Sequence, residues 1–277
     1  GLEEADVIVT NHDLVLSDLR LGGGVILPAP EDSLYVFDEG HQLPAKCLNQ
    51  FALRFHAAGT LQGLRDSERW LAASAEAWVA QGLDERLIPA MTSLVGDLIQ
   101  RSEDIAELLW QLLPEADFER AEHRFPHGRI PADLAEQAAG LVAQWDQLYR
   151  EATRLEAALE NSQTAGSSSA DSAIAGAADP DLNLANAQGL VARAEQQLAV
   201  WRAFADAPGE GEPGDGWARW CQHRGTPQTV ECQASPILPG ELLHDALWQR
   251  AAGAVITSAT LSALGTFERF RERSGVP

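Results

Sequence analysis

The chain has 277 residues, 45% of them hydrophobic, which suffices for one large or two ordinary domains with apolar cores. No apolar stretch approaches the roughly 20 residues that cross a bilayer, and no signal peptide is recognisable, so we expect a cytoplasmic protein without membrane contact. The net charge of −21 at pH 7 disfavours binding to bare phosphate backbones, unless the 20 basic residues cluster on one surface.

The first forty residues are typical of an α/β sheet. Residues 6–10 predict a strand, and 11–20 predict a helix with Asn11 as its N-cap. Three glycines at 22–24 break the pattern, and 33–37 predict a second strand. Because the chain begins with a glycine and enters a strand pattern within a few residues, we expect a piece of a longer protein.

The middle of the chain is predicted to be helical. Apolar residues recur at helical spacing in four segments, 61–78, 83–113, 132–159 and 182–204, which favours an antiparallel helix bundle. We expect the tryptophans on these faces, and one in a later helix, to pack in cores: Trp70, Trp78, Trp110, Trp145, Trp201 and Trp248. Residues 161–181 are almost all small or polar and predict a mobile loop.

The last part of the chain returns to an α/β pattern. Residues 217–223 and 229–234 predict paired strands, and a helix at 241–250, a strand at 254–257 and a helix at 266–273 follow. The expected fold is therefore α/β, with a parallel sheet interrupted by a large helical insertion. We place the sheet domain at 1–41 and 251–277 and the insertion at 42–250.

Two polar motifs follow the strands predicted to pair. Asp38 and Glu39 follow the apolar run 34–37, and the hydroxyls of Ser258 and Thr260 follow the strand at 254–257. Ligands gather at the carboxyl ends of parallel strands, so both motifs are expected at one edge of the sheet. Either motif alone is more typical of a polar turn that caps a helix, and only their conjunction is specific.

These motifs resemble those of superfamily 2 helicases. Asp38-Glu39-Gly40-His41 resembles the DEAH box, with Gly40 in place of the usual alanine, and Ser258-Ala259-Thr260 resembles the Ser-Ala-Thr motif. Their order and the helical insertion resemble the XPD-like branch, and segments 5–12 and 255–261 are most similar to bacterial DinG and YoaA proteins. The resemblance implies a RecA-like motor domain for the sheet and an arch domain for the insertion.

The resemblance also implies roles for individual residues. In an ATPase of this kind, one carboxylate holds Mg²⁺ and its neighbour orients or deprotonates the attacking water. Asp38 takes the first role and Glu39 the second. His41, together with Ser258 and Thr260, would couple the nucleotide state to movement on DNA.

The implied partner is single-stranded or forked DNA, and the implied function is ATP-dependent unwinding, 5′ to 3′, in DNA repair or replication. In the family the region of Asn11 and His12 lies near DNA, although we favour a helix cap as the role of this pair. A protein partner is not identifiable. Residues 119–129 are arginine-rich, but interspersed acids favour a solvated loop.

Parts of an ATPase are missing from the chain. No Gly-x-x-x-x-Gly-Lys-Ser/Thr loop is present, and Lys46 is the only lysine, so we expect no ATP hydrolysis by this chain alone. Three widely spaced cysteines without a Cys-x-x-Cys pair predict ordinary thiols and no metal site. The resemblance implies a [4Fe-4S] cluster only in the longer parent, with its cysteines before Asp6 and a second motor domain after Pro277.

Two alternatives remain open from the sequence. The first is a non-catalytic helical interaction module in which the acidic pair is a structural turn. The second is a metal hydrolase that uses Asp38, Glu39 and His41, and we disfavour it because no second histidine lies at metal-ligand spacing.

Overall fold

The chain forms two compact units and passes from the first to the second and back. The computed structural model describes residues 5–80, 82–113, 121–166, 179–209, 212–223, 225–262 and 265–277. Unit 1 comprises Gly1–Ala52, Gly216–Ala218 and Ser235–Pro277, and unit 2 comprises Leu53–Asp215 and Arg219–Ala234. The predicted divisions at 41/42 and 250/251 differ from these, because residues 42–52, which include the helix after His41, and residues 235–250 both belong to unit 1.

The elements of unit 1 are helices α1 (His12–Arg20), α2 (Leu43–Phe51), α7 (Pro239–Leu243) and α8 (Glu268–Ser274), with strands β1 (Leu34–Phe37) and β6 (Gly253–Ile256). The helices of unit 2 are α3 (Ala57–Ala80), α4 (Leu87–Gln111), α5 (Ala132–Gly166) and α6 (Pro180–Ala205). Its strands are β2 (Leu53–His56), β3 (Ala121–Phe125), β4 (Trp217–His223) and β5 (Glu231–Pro236), of which β4 begins and β5 ends with residues of unit 1. The predicted α/β class is confirmed.

Unit 1 is built on a parallel pair of strands. β1 pairs with β6 in a register that sets Leu34 opposite Gly253 and Phe37 opposite Ile256. Phe37 is buried in a core supplied by α1, the loop after α1, α2, α7 and the turn after α7, namely Val15, Leu16, Leu19, Leu27, Leu43, Cys47, Leu243 and Leu247. Burial of this apolar cluster provides the main driving force for joining the two ends of the chain.

The strands of unit 1 are exposed on one face. Leu34 and Val36 on β1 and Val255 on β6 are more than half exposed, because helices cover one face of the pair and the described residues place nothing on the other. The predicted strand at 6–10 is also absent. Ile8 packs on the core while Val7 and Val9 face solvent, so the alternation of buried and exposed side chains is present. Among the described residues, however, no neighbouring strand supplies a hydrogen-bond ladder.

The loop after α1 is organised by a buried carboxylate. Asn11 caps α1 as predicted, since its Oδ1 accepts a hydrogen bond from the Leu14 amide. The glycines at 22–24 all adopt positive φ and turn the chain back towards the helix. The amides of residues 24–27 then donate to the Asp18 carboxylate at 2.6–3.3 Å. Burial alone would raise the pKa of Asp18, but the four amides lower it below its ordinary value of 3.8.

The C-terminal elements differ slightly from the prediction. The helix expected at 241–250 is formed by α7 and a π-helical turn, His244–Trp248, and α8 replaces the helix expected at 266–273. The Trp248 indole donates to the carbonyl of Ser274 at 2.6 Å, which attaches α8 to the π-helical turn.

Unit 2 contains the predicted antiparallel helices. α5 packs against α6 and α4, and α4 packs against α3. Trp78, Trp145 and Trp201 are buried as predicted, and Trp70 is half-buried with its indole donating to Asn183 at 3.0 Å. α5 continues to Gly166 and α6 begins at Pro180, so both ends of the expected loop at 161–181 are helical, and residues 167–178 lie outside the described residues.

A four-stranded sheet accompanies the helices, with strand order β2-β5-β4-β3. β4 and β5 were predicted, but β2 and β3 were not. β3 lies within the arginine-rich stretch expected to be a loop, and residues 114–120 before it lie outside the described residues. Its alternation of buried Ala121 and Phe125 with exposed charges extends over only five residues, too few for periodicity to stand out.

Arg219 joins the sheet to the helices of unit 2. Its side chain is 1% exposed and forms a bidentate ion pair with Asp215. The remaining donors reach the carbonyls of Ala203, at the end of α6, and Gly128. A buried guanidinium is tolerated here because its charge is paired and each of its three nitrogens donates to an oxygen. Among the described residues, no helix combines the length and apolarity that crossing a bilayer requires.

Asp18→Asn is expected to lower the free energy of unfolding of unit 1 by about 1.5–3 kcal/mol at pH 7, because an amide nitrogen cannot accept the hydrogen bond from Gly24. Since folding lowers the pKa of Asp18, its stabilisation is complete above the unfolded value of 3.8 and is lost as the pH falls through the folded value. Urea unfolding across pH should show the difference between variant and wild type shrinking below about pH 4.

The matched control is Asp6→Asn, which removes a charge from an exposed carboxylate of the same unit. We expect it to change stability by less than about 0.5 kcal/mol. A deficit of Asp18→Asn that stays constant into acid would contradict the proposed role of the carboxylate.

Candidate functional site

The two polar motifs meet at the carboxyl ends of β1 and β6. Beyond the strands, the Thr257 amide donates to the Phe37 carbonyl at 2.8 Å, and the Gly40 amide donates to the Thr257 carbonyl at 2.9 Å. The parallel pairing thus continues through the turn that carries Asp38 and Glu39. Residues about 219 apart in sequence become neighbours at one edge of the strand pair.

A carboxylate and a hydroxyl form the first side-chain contact of this edge. The Thr257 hydroxyl donates to Asp38 Oδ1 at 3.1 Å, and the Glu39 amide donates to the same oxygen at 3.0 Å. Asp38 is exposed, so its remaining oxygen is accessible from solvent. An accessible carboxylate oxygen at a sheet edge suits Mg²⁺, which prefers one or two carboxylates together with phosphate and water oxygens.

Ser258 lies at the centre of a second group of contacts. Its hydroxyl donates to Glu39 Oε2 at 3.1 Å and lies 2.8 Å from His41 Nδ1, and it accepts a hydrogen bond from the Thr260 amide at 3.3 Å. His41 Nδ1 is also 3.1 Å from Glu39 Oε2. A serine hydroxyl has one proton, so a Ser258 hydroxyl that donates to Glu39 can only accept from His41 Nδ1. This pattern of hydrogen bonds requires a proton on Nδ1 of His41.

Glu39 has an unusual backbone conformation. Its φ of 51° and ψ of 40° lie in the left-handed region, which disfavours residues with a Cβ atom. The neighbouring hydrogen bonds of Gly40 and Asp38 hold it there. Strained non-glycine residues of this kind cluster at functional sites, where the orientation of a functional side chain is achieved at the expense of local stability.

Gly40 is required by close packing. A Cβ atom built on Gly40 would overlap the Cγ2 methyl of Ile256 on β6. Glycine stands here in place of the alanine that is usual in the motif that this turn resembles. In this chain glycine makes room for the facing isoleucine, so the two residues are coupled.

The structure places the other predicted site residues as follows. His41, Ser258, Asp38 and Glu39 come together directly, whereas Thr260 contributes its backbone amide. Asn11 caps α1, and the His12 ring packs edge-on against Phe37 with centroids 5.8 Å apart. His12 is therefore close to the strand that carries the acidic pair.

Sequence reasoning missed Thr257 and Ile256 as parts of this site. Both were assigned to the strand that precedes the Ser-Ala-Thr motif. Strand register could have located them. Ile256 pairs with Phe37, so the next residue, Thr257, must lie beside the turn that follows Phe37.

The cysteines do not add a metal site. Cys47, Cys221 and Cys232 are buried and unpaired. Burial raises the pKa of the first two thiols to about 12 and that of Cys232 well above its ordinary value, so all three are protonated near neutral pH. Within the described ranges, no group of three histidine, cysteine or acidic residues could hold a metal ion. An iron-sulfur cluster does not fit these residues.

Comparison with known proteins reveals relatives along almost the whole chain. The chain is 30% identical to ATP-dependent DNA helicase DinG of Photobacterium profundum, 28% to that of Shigella flexneri and 26% to that of Escherichia coli strain K12. Each alignment covers 99% of this chain but only 38%, 37% and 37% of the respective relative. No family model matches the chain. The similarity confirms the resemblance to DinG-type proteins, and the chain spans little more than a third of the length of these relatives.

Gly40→Ala is expected to lower the free energy of unfolding of unit 1 by about 1–3 kcal/mol, because the added methyl overlaps Ile256. In an Ile256→Ala background the same change should cost much less. Denaturant unfolding of the four chains of this double-mutant cycle would measure the coupling.

Gly189→Ala is the matched control, because a Cβ atom built on this glycine of α6 meets nothing within 4 Å. It should stabilise its helix by about 0.5–1 kcal/mol. Equal costs of Gly40→Ala in both backgrounds would show that Ile256 is not the constraint.

Proposed function

We propose that this chain is a segment of a DinG-type ATP-dependent DNA helicase, comprising part of a RecA-like motor domain and an arch-like helical insertion. One observation supports this most strongly. The Asp38-Glu39 turn and the Thr257-Ser258 turn are hydrogen-bonded to each other although about 219 residues separate them. An isolated acidic turn or an isolated Ser-Ala-Thr tripeptide would have no reason to form this pair.

Asp38 and Glu39 would divide the chemistry of ATP hydrolysis. When bound, Mg-ATP supplies the γ-phosphoryl group and the cation that neutralises its charge. Asp38 would hold the cation through its accessible carboxylate oxygen. Glu39, aimed by its left-handed backbone, would orient the attacking water and accept its proton. Both carboxylates are exposed at the edge of the sheet, where a nucleotide can reach them.

His41, Ser258 and Thr260 would couple nucleotide state to DNA. Ser258 contacts both Glu39 and His41, so a change in the position of the Glu39 carboxylate must alter the hydrogen bonds of the segment after β6. The Thr260 amide, bonded to the Ser258 hydroxyl, extends this connection along the chain. Asn11 and His12, next to the same strand, are proposed to lie near DNA in addition to their packing roles.

The remaining parts of the motor are proposed for the longer protein. The phosphate-binding loop is absent from the sequence given, so this chain alone is proposed to be inactive. A [4Fe-4S] cluster would be held by cysteines outside it. We further propose 5′-to-3′ unwinding of single-stranded or forked DNA in repair or replication, in the bacterial cytoplasm, with DNA affinity supplied mainly outside this acidic chain.

Glu39→Gln in the full-length protein is expected to reduce ATP hydrolysis stimulated by single-stranded DNA by at least about 100-fold, because the amide keeps the shape but cannot accept a proton. Phosphate release with and without DNA measures the effect. Glu272→Gln, on the exposed surface of α8, is the matched control and should leave the rate unchanged.

If the full-length protein shows no DNA-stimulated hydrolysis, or if Glu39→Gln leaves hydrolysis intact, the acidic pair is a structural turn. The chain would then be better described as a non-catalytic helical interaction module.

Ser258→Ala is expected to separate hydrolysis from unwinding, because it removes the hydroxyl shared by Glu39 and His41 while both side chains remain. We expect base pairs opened per ATP hydrolysed to fall severalfold, by more than hydrolysis itself. Parallel assays of strand separation and phosphate release on one forked substrate measure this ratio. An unchanged ratio would exclude a coupling role for Ser258.

A further inference from the structure

The hydroxyl of Thr257 makes a contact that the proposed roles do not use. Thr257 precedes the Ser-Ala-Thr motif and contacts the turn after β1 through three hydrogen bonds. Its amide donates to the Phe37 carbonyl, its carbonyl accepts from the Gly40 amide, and its hydroxyl donates to Asp38 Oδ1. The two backbone bonds lie on either side of the acidic pair, so the position of the hydroxyl relative to Asp38 is determined by the strand pairing.

The two oxygens of the Asp38 carboxylate are placed in different environments. Oδ1 accepts two hydrogen bonds, from the Thr257 hydroxyl at 3.1 Å and from the Glu39 amide at 3.0 Å. Oδ2 has no hydrogen-bond partner within the described part of the chain, and Asp38 is exposed. One oxygen is thus anchored to the protein while the other is presented outward.

We propose that Thr257 is a positioning residue that fixes the rotamer of Asp38 and presents Oδ2 to the Mg²⁺ of Mg-ATP. This inference rests on the proposed function, since it assumes that Asp38 binds the cation. Partners that hydrogen-bond a metal-binding carboxylate orient it, and their removal commonly weakens metal binding by 10–100-fold. Threonine suits the position because its branched Cβ restricts χ1, which keeps the hydroxyl directed at Asp38.

The test compares Thr257→Val and Thr257→Ser in the full-length protein. Valine keeps the branched shape and removes the donor, whereas serine keeps the donor and loses the methyl. The readout is binding of a fluorescent ATP analogue, titrated with Mg²⁺ and repeated in excess EDTA. Thr153→Val is the matched control, because the Thr153 hydroxyl is exposed and bonds only a carbonyl of its own helix.

We expect Thr257→Val to raise the Mg²⁺ concentration for half-maximal enhancement of nucleotide binding by about 10-fold or more, without changing binding in EDTA. Thr257→Ser should stay within about threefold of wild type, and Thr153→Val should match it. If Thr257→Val fails to fold, Thr257→Ala replaces it, with the same expectation and with Thr257→Ser as the folded reference.

Three outcomes would overturn the inference in distinguishable ways. Wild-type protein that binds the nucleotide without any dependence on Mg²⁺ would overturn the proposed function together with this role. A normal wild-type dependence that Thr257→Val leaves unchanged would overturn only the role of Thr257. Equal weakening in Mg²⁺ and in EDTA would indicate general distortion of the edge and would likewise reject selective positioning of Asp38.

Discussion

The parallel pairing of β1 with β6, and its continuation through Thr257, is the interaction on which the candidate site depends. Both strands are only four residues long, so the ladder itself supplies little stability. Its register is held by Phe37, which is buried among helices α1, α2 and α7 and stacks on Tyr35. A slip by one residue would turn Phe37 away from this core, so burial of one aromatic side chain specifies which polar groups meet at the edge.

The long excursion between the strands is thermodynamically less costly than its length suggests. Loop-closure entropy grows only with the logarithm of loop length, so a tenfold longer connection costs only about 2 kcal/mol more. The excursion is also a unit with its own core of buried helical residues, including Trp145 and Trp201. Its ends are joined by its own sheet, in which Leu53 at the start of the excursion faces Ala234 at its end. Because the insertion has its own core and its two ends are paired with each other, β1 and β6 can pair as if a short loop connected them.

The site combines a strained backbone with tightly specified neighbours. Glu39 occupies a left-handed conformation that glycine would adopt more readily, and Gly40 occupies a position where a methyl group would collide with Ile256. A sequence chosen for local stability alone would not place a glutamate and a glycine in this order. The requirement that the Glu39 carboxylate reach the Ser258 hydroxyl from a turn packed against β6 explains this order.

Local patterns predicted the helices well and the strands less well. Helical periodicity extends over many residues, so α3 to α6 and the burial of Trp78, Trp145 and Trp201 followed from it. β2 and β3 are four and five residues long, too short for a periodic signal, and both exist because partner strands distant in sequence pair with them. The segment at 6–10 shows the converse, a strand pattern that finds no partner among the described residues.

The sequence by itself determined the chemical groups of the site and the family to which they point, because Asp38, Glu39, His41 and Ser258 lie in motifs readable from their neighbours. Only the tertiary structure decided how these groups are joined. It showed that Thr257 binds Asp38, that Ser258 lies between Glu39 and His41, and that Ile256 requires glycine at position 40. These contacts join positions more than 210 residues apart, and their geometry follows from strand register and core packing, which no local pattern encodes.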